Sequence, residues 1–344
     1  MELKIGNKKI SNNHEVFIIA EIGVNHNGSV DLAKKLVHEA YYAGVDAVKF
    51  QMYHTDELVI ENAELAGYQK KTGYTNQQEM LQQYQLDEKQ MREVKQYCDQ
   101  LGILFIATAA DQRSASFLNE LEVPAFKVGS GDLTNLPLLK FIQKFQKPMI
   151  LSTGMSTLSE IEYSLNHLSP TQEIALLHCT SSYPAPFEDL HLHAIHTLKN
   201  AFPKTIGYSD HSIGIEVPLA AVSLGYKIIE KHLTMDKTME GPDHEASLEP
   251  QELRSMVKGI RNIESALGST QKKVTPCEQS TKNIVRRSIY LEKNIKEGHI
   301  LQLEDVRFLR PVQGIEACYY DKVIGKPLRI SKKKGEPLFW NELS

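Results

Sequence analysis

The chain has little cysteine and no long apolar run. Its four cysteines, Cys98, Cys179, Cys277 and Cys318, lie far apart and form no C-x-x-C pair. That argues against a disulfide framework or a structural zinc knuckle, and for reduced thiols in a cytoplasmic setting. No stretch approaches the roughly 20 apolar residues that a membrane helix needs, so no membrane partner is expected. The opening, Met1 to Lys8, lacks the apolar core of a secretory signal. Nor does one sign of charge dominate: 39 Lys+Arg against 43 Asp+Glu leave a net charge of −4. Such a chain has no global basic field to hold nucleic acid, although a local anion pocket stays possible. Hydrophobic content of 41% over 344 residues excludes wholesale disorder and suits one large domain or two.

What is present is a repeated pattern. Short apolar runs fall at Val16–Ala20, Ala47–Phe50, Ile103–Thr108, Ala125–Val128, Met149–Leu151, Ile174–Leu177, Thr205–Tyr208 and Lys227–Ile229. Near-continuous apolar character over a few residues suits strands buried on both faces of a parallel sheet. Amphipathic stretches alternate with them, at Val30–Ala43, Glu88–Leu101, Ser114–Leu121, Leu136–Phe145, Thr157–Leu168, Leu190–Phe202, Val217–Leu224 and Glu249–Leu267. Eight such alternations over about 250 residues predict an α/β fold, the (β/α)₈ TIM barrel, across residues 16–267. An open doubly wound sheet is the rival, but no G-x-G-x-x-G follows the first run. Residues 1–15 are expected to cap the barrel. Asn62–Leu86 reads as a long loop shaping its mouth. Residues 268–283 read as a linker, and 284–344 as a small β-rich domain. In it, Ile295–Leu301 and Ser331–Leu338 resemble each other, each a basic glycine turn leading into an apolar strand.

Polar residues gather at the strand ends, where a barrel carries its chemistry. Lys49 and Lys127 lie inside apolar strands, and a buried lysine needs a partner. Either they form structural ion pairs, with Glu21 or Asp132, or they serve a ligand. Ser130, Ser152, Ser181 and Ser209 fall at equivalent heights. Two cations ringed by hydroxyls and glycine-rich backbone suit a phosphate or carboxylate. His211 and His232, on neighbouring strands with Glu21 and Asp243 within reach, suit a divalent metal with open positions. Single histidines at strand ends are more often merely hydrogen-bonded.

The ordered motifs Glu21-Ile22-Gly23-Val24-Asn25-His26-Asn27-Gly28, Val48-Lys49-Phe50-Gln51, Lys127-Val128-Gly129-Ser130-Gly131, Leu151-Ser152-Thr153-Gly154-Met155, His178-Cys179-Thr180, Ser209-Asp210-His211, Glu230-Lys231-His232 and Gly241-Pro242-Asp243-His244 resemble the bacterial sialic acid (nonulosonic acid) synthase family. The tail, including Leu309-Arg310-Pro311, resembles that family's antifreeze-like (SAF) domain. The resemblance implies condensation of phosphoenolpyruvate with an N-acetylated mannosamine-type aldehyde, giving a nine-carbon α-keto acid and phosphate. It implies that Lys49, Lys127, Ser130, Ser152, Ser181 and Ser209 hold phosphoenolpyruvate. His211 and His232 are then the ligands of Mn²⁺ or Mg²⁺, with Glu230 supporting that site. Glu21 handles the water or proton. Gln51, Asp132, Tyr183 and Asp243 contact the sugar, as does Arg310, reaching from the tail into the partner subunit of a domain-swapped homodimer. Asp132 stands where many family members have glutamate, and Ala107-Thr108-Ala109-Ala110-Asp111 where many have Thr-Pro-Phe.

Four alternatives compete, one of them a metal-dependent hydrolase, which would normally show His-x-His on the first strand where this chain has Glu21. A pseudaminate synthase is disfavoured by Gly129-Ser130-Gly131. Seven- or eight-carbon keto-acid phosphate synthases lack such a tail. A non-catalytic carbohydrate-binding barrel would have no use for the lysines and paired histidines.

Overall fold

The computed structural model describes residues 2–344, in two compact units that divide after Gly268. In the first, a hairpin of β1 (Leu3–Ile5) and β2 (Lys8–Ile10) precedes eight parallel strands closed into a barrel. These are β3 (Phe17–Gly23), β4 (Ala47–Met52), β5 (Leu104–Ala109), β6 (Phe126–Val128), β7 (Met149–Ser152), β8 (Ile174–Cys179), β9 (Thr205–Asp210) and β10 (Ile228–His232). β10 pairs with β3 and closes the cylinder. The first unit is a (β/α)₈ barrel, as its periodicity predicts.

Several strands run further than their apolar runs. Glu21, His178, Asp210 and His232 are strand residues, not loop residues. The reason is the ladder: parallel pairing continues past the last aliphatic residue wherever a neighbouring strand still offers partners, as His232 does to Glu21. The helices keep the expected order. Val30–Ala43 is capped by the Ser29 side chain, which accepts from Leu32 N, and it ends on Gly44 at φ +81°.

The period of two sorts the strand residues. Ile18, Ala20, Val48, Phe50, Phe105, Phe126, Leu151 and Leu176 pack outward into the main core with the helices. Phe17, Ile19, Ala47, Ile106, Ala125, Ile150, Ala175, Leu177 and Ile228 form a separate cluster inside the barrel. The hairpin adds Leu3, Ile5 and Ile10 to that inner cluster. The barrel interior is therefore apolar at its N-terminal end. One or two residues further along each strand, the inward positions become polar.

The segment Asn62–Leu86 is more ordered than a long loop. It holds a 3₁₀ turn at Gly67–Thr72 and a helix at Gln77–Tyr84, whose N-cap Asn76 accepts from Glu79 N. Met80 and Tyr84 bury against Val24, with Leu65, Tyr74 and Leu81 beside them. Its polar composition hid this small satellite core.

The second unit carries the antiparallel pair β11 (Ser288–Leu291) and β12 (Val306–Leu309). Its own core includes Ile289, Leu291, Ile295, Leu301, Val306 and Leu328. The two similar pieces meet: Ile295 and Lys332 exchange backbone hydrogen bonds, both at 2.9 Å. A short helix, Gln279–Val285, crosses the expected linker boundary at 283/284. It follows a turn started by Pro276 and capped by Thr275 with Glu278.

Candidate active site

Strand register assembles the site. Glu21 of β3 sits opposite Lys49 of β4 on one side and His232 of β10 on the other. Ser209 of β9 pairs with Glu230 of β10 and with Cys179 of β8. The β3–β4 register shifts between Glu21 and Gly23, a bulge at Gly23 (φ +38°). A side chain at Gly23 would strike the Glu21 carboxylate and the Gln51 amide, so glycine is required where those two groups meet.

The lysines and acids form one buried cluster. Lys49 Nζ lies 2.9 Å from Glu21 Oε2 and 3.6 Å from Glu230 Oε1, and it donates to Thr108 Oγ1 at 3.2 Å. Gln51 Nε2 donates to Glu21 Oε1 at 2.9 Å. Lys127 Nζ donates to Ser152 Oγ at 2.5 Å and to Val128 O at 3.1 Å, and stands 4.0 Å from Glu230 Oε1. Ser209 Oγ donates to Glu230 Oε1 at 2.9 Å and lies 3.4 Å from His211 Nε2. Glu230 thus sits between the two lysines and reaches His211 only through Ser209. Its direct contacts are to the lysines and Ser209, not to the histidines. Asp132 partners neither lysine; it accepts from Asn135 Nδ2 at 3.0 Å within its own turn.

Burial sets the protonation states. It raises the Glu21 carboxyl, overriding the pull of Lys49, and the neighbouring Glu230 adds to the rise. Burial alone would also raise Glu230, but Lys127 and Lys49 together hold it below the usual range. Lys127 is lowered by burial despite Glu230. Lys49 is also penalised by burial, yet Glu21 and Glu230 keep it above its ordinary value.

Next to this cluster stand the histidines. The His211 and His232 rings are 5.5 Å apart, and Tyr183 lies 4.1 Å from the His211 ring. His211 Nδ1 is 2.7 Å from Thr180 O. A carbonyl only accepts, so Nδ1 carries the proton and Nε2 keeps its lone pair. Burial lowers His211 to about 4 and takes His232 well below its ordinary value, which favours neutral imidazoles near pH 7. His232 Nδ1 is buried without a hydrogen-bond partner, with Asp243 Oδ2 at 3.5 Å. Burial lifts Asp243 to about 7, aided by Glu21.

Two neutral rings at that separation can share one ion at the usual nitrogen–metal distance of about 2.1 Å. Among the described residues no group of three or more His, Cys, Asp or Glu forms a ready cage. The donors an ion would meet are the His211 Nε2 lone pair, left free by the Thr180 contact at Nδ1, and the His232 ring, whose buried Nδ1 has no partner; these fit an ion with open positions.

Ser130 and Ser181 converge at Gly154. A side chain there would collide with Ser181 Oγ, Ser130 Oγ and Cys179 Sγ. Arg310 is exposed in the second unit.

Several residues were not legible beforehand. Tyr68, from the 3₁₀ turn, packs 4.9 Å from Tyr183. Asn25 Nδ2 donates to Leu233 O and Ser247 Oγ, and Asn27 Oδ1 meets His244 Nε2 at 3.1 Å. Together they tie down the segment that carries Asp243. Asp111 caps its helix through Ser114 N and also accepts from His54 N at 2.9 Å. It thereby joins the β4 and β5 ends, which gives Ala110-Asp111 a structural role.

Residues 36–272 match the NeuB family model, and 286–344 match the SAF domain. The chain belongs to the NeuB family. It is 46% identical to N,N'-diacetyllegionaminic acid synthase of Campylobacter jejuni, over 94% of this chain and 98% of that protein. With the Homo sapiens N-acetylneuraminate-9-phosphate synthase it shares 38% identity over 86% and 83% of the two chains. Among solved NeuB-type structures, an N-acetylneuraminic acid synthetase from Leptospira borgpetersenii in complex with citrate superposes with TM-score 0.74. That pair is 38% identical over 82% of this chain and 95% of the other.

Proposed function

We propose that this chain is a nonulosonic acid synthase. It joins phosphoenolpyruvate to an N-acetylated mannosamine-type aldehyde and water, yielding a nine-carbon sialic-type acid and phosphate. The observation that carries the reading is the union, on one barrel rim, of a two-lysine, multi-hydroxyl anion pocket with two neutral imidazoles. NeuB membership supports it, as do the relatives named for legionaminic and neuraminic acid synthesis.

In this reading Lys127, Ser152, Ser130, Ser181 and Ser209 bind the phosphate end and Lys49 the carboxylate end. Glu230 neutralises the lysines before the anion arrives. The nucleophilic enol carbon C3 attacks the aldehyde carbon, which leaves positive charge at C2. Water adds at C2 and gives one proton to Glu21, to be passed on to the new hydroxyl formed from the aldehyde oxygen. The tetrahedral carbon then expels phosphate through C–O cleavage, the remaining hydroxyl proton leaving with it as the C2 ketone forms. The fixed cations stabilise charge that grows on the leaving group and need no reorganisation at that moment. Gln51, Asp132, Tyr183 and Asp243 face the sugar.

His211 and His232 would hold a Mn²⁺- or Mg²⁺-type ion, which when bound supplies Lewis acidity to the aldehyde oxygen. A domain-swapped homodimer, with Arg310 completing the partner's site, is part of the same proposal, as is a cytoplasmic setting.

The direct test mixes phosphoenolpyruvate with N-acetylmannosamine or 2,4-diacetamido-2,4,6-trideoxymannose and follows phosphate release. Release that needs one of these sugars supports the synthase. No release with either sugar, after titration with Mn²⁺ and Mg²⁺, would overturn it.

A further inference from the structure

Cys179 has a place in the anion pocket that the mechanism above does not use. It is the last residue of β8, points inward beside Ser209, and is 5% exposed. Its Sγ lies 3.2 Å from Ser130 Oγ, while Gly154 N–H donates to the same oxygen at 3.1 Å. Gly154 permits this crowding, because any side chain there would displace both serines and the thiol.

A hydroxyl has one proton to give and two lone pairs. The Gly154 amide takes one lone pair; in the second contact either Ser130 Oγ or Cys179 Sγ could donate, and with the thiol S–H as donor the Ser130 proton is left to point away from both, toward the pocket. An anion there would meet a hydroxyl already turned toward it. Without the thiol, Ser130 can rotate and lose that orientation.

We propose that Cys179 is a positioning residue for the anion: its thiol saturates the acceptor side of Ser130 and so commits the Ser130 hydroxyl to a phosphate oxygen. The inference rests on the synthase reading for the identity of the anion.

The test measures phosphoenolpyruvate binding to the full chain by calorimetry, beside KM and kcat. Losing one neutral hydrogen bond is worth about three- to tenfold. Cys179→Ala should weaken phosphoenolpyruvate binding by that factor and raise its KM while kcat changes less. Cys179→Ser, which keeps a donor in place, should restore most of the loss. Ser130→Ala with Cys179→Ala should bind no worse than Ser130→Ala alone, because the thiol acts only through that hydroxyl. Unchanged binding in Cys179→Ala, equal loss in Cys179→Ser, or additive losses in the double variant each overturn the proposal. If the wild-type chain does not bind phosphoenolpyruvate at all, it is the synthase reading that fails.

Discussion

Strands β9 and β10 bury charge on both of their faces, and the two sets of charges are built differently. On the outer face Lys231 Nζ donates to Asp210 Oδ2 at 2.6 Å and also to Ser212 O. Asp210 Oδ1 accepts from Ser212 N and Ser212 Oγ. Both oxygens of the Asp210 carboxylate and the Lys231 ammonium have hydrogen-bond partners, and the pair is closed. On the inner face Glu230 reaches Lys49 at 3.6 Å and Lys127 only at 4.0 Å, and its Oε2 has no hydrogen-bond partner. Burying charge without full pairing is costly. A protein that satisfies one face of a strand pair and leaves the opposite face loose is holding that second face for something else. The outer pair fastens β9 and β10, at whose C-terminal ends His211 and His232 sit; in the proposed reading the inner cluster is kept for the anion.

The comparison can be broken in several places. The largest effect is expected on the inner face: Lys127→Ala should lower phosphate release by about a hundred- to thousandfold or more while circular dichroism and the unfolding midpoint stay near wild type. His211→Ala should match it. A folded, fully active Lys127→Ala would remove the site assignment.

The outer face should answer in stability. Lys231→Met takes the cationic partner away from the buried Asp210 carboxylate, and should cost about 3–5 kcal/mol in urea unfolding. A cost under about 1 kcal/mol would mean that the outer pair is not the fastener described.

Phosphoenolpyruvate sharpens the contrast further. At a hundredfold excess over Kd it should stabilise the wild-type chain by about 2.7 kcal/mol. Lys127→Ala should lose this response, whereas Lys231→Met, measured where it is folded, should keep it.

The second unit supplies a smaller control. Asp305 is a paired acid: its Oδ1 lies 2.6 Å from Lys293 Nζ as an ion pair, and its Oδ2 accepts from His299 Nε2 at 2.7 Å and Gln302 N at 2.8 Å. Burial works against its charge, but these donors hold the carboxyl down to about 2. A depressed acid contributes stability above its unfolded value of about 4, and loses it as pH falls toward 2. Asp305→Asn should cost about 1–3 kcal/mol at neutral pH and flatten the acid limb between about pH 4 and 2. An unchanged acid limb would show that Asp305 is not the group titrating there.

Much of this was visible in the amino acids. Lys49 and Lys127 are conspicuous in strands otherwise made of aliphatic residues. Each sits one alternation beyond an apolar inward neighbour, Ala47 or Ala125, so strand parity alone aims them into the barrel. His211 and His232 follow the same parity.

Other assignments needed contacts. Asp210 lies next to His211 in sequence, yet faces the opposite side of the sheet and binds Lys231. Asp132 occupies a position suited to the lysines, yet its turn directs it to Asn135. Glu230 belongs between the lysines only because closure of the barrel brings three different strands to it. Tyr68 had no periodic signal to mark it, and parity after Leu177 aims Cys179 inward without telling that its thiol meets Ser130.

The residues by themselves determined the alternation of strand and helix, the inward parity of the lysines, and the order of the motifs, because these follow from local spacing along one chain. Which acid neutralises which base, which serine an amide and a thiol both reach, and which buried ion pair is closed were decided by tertiary structure alone. Those answers depend on register between strands distant in sequence, and the closing of the cylinder sets that register where no local propensity can.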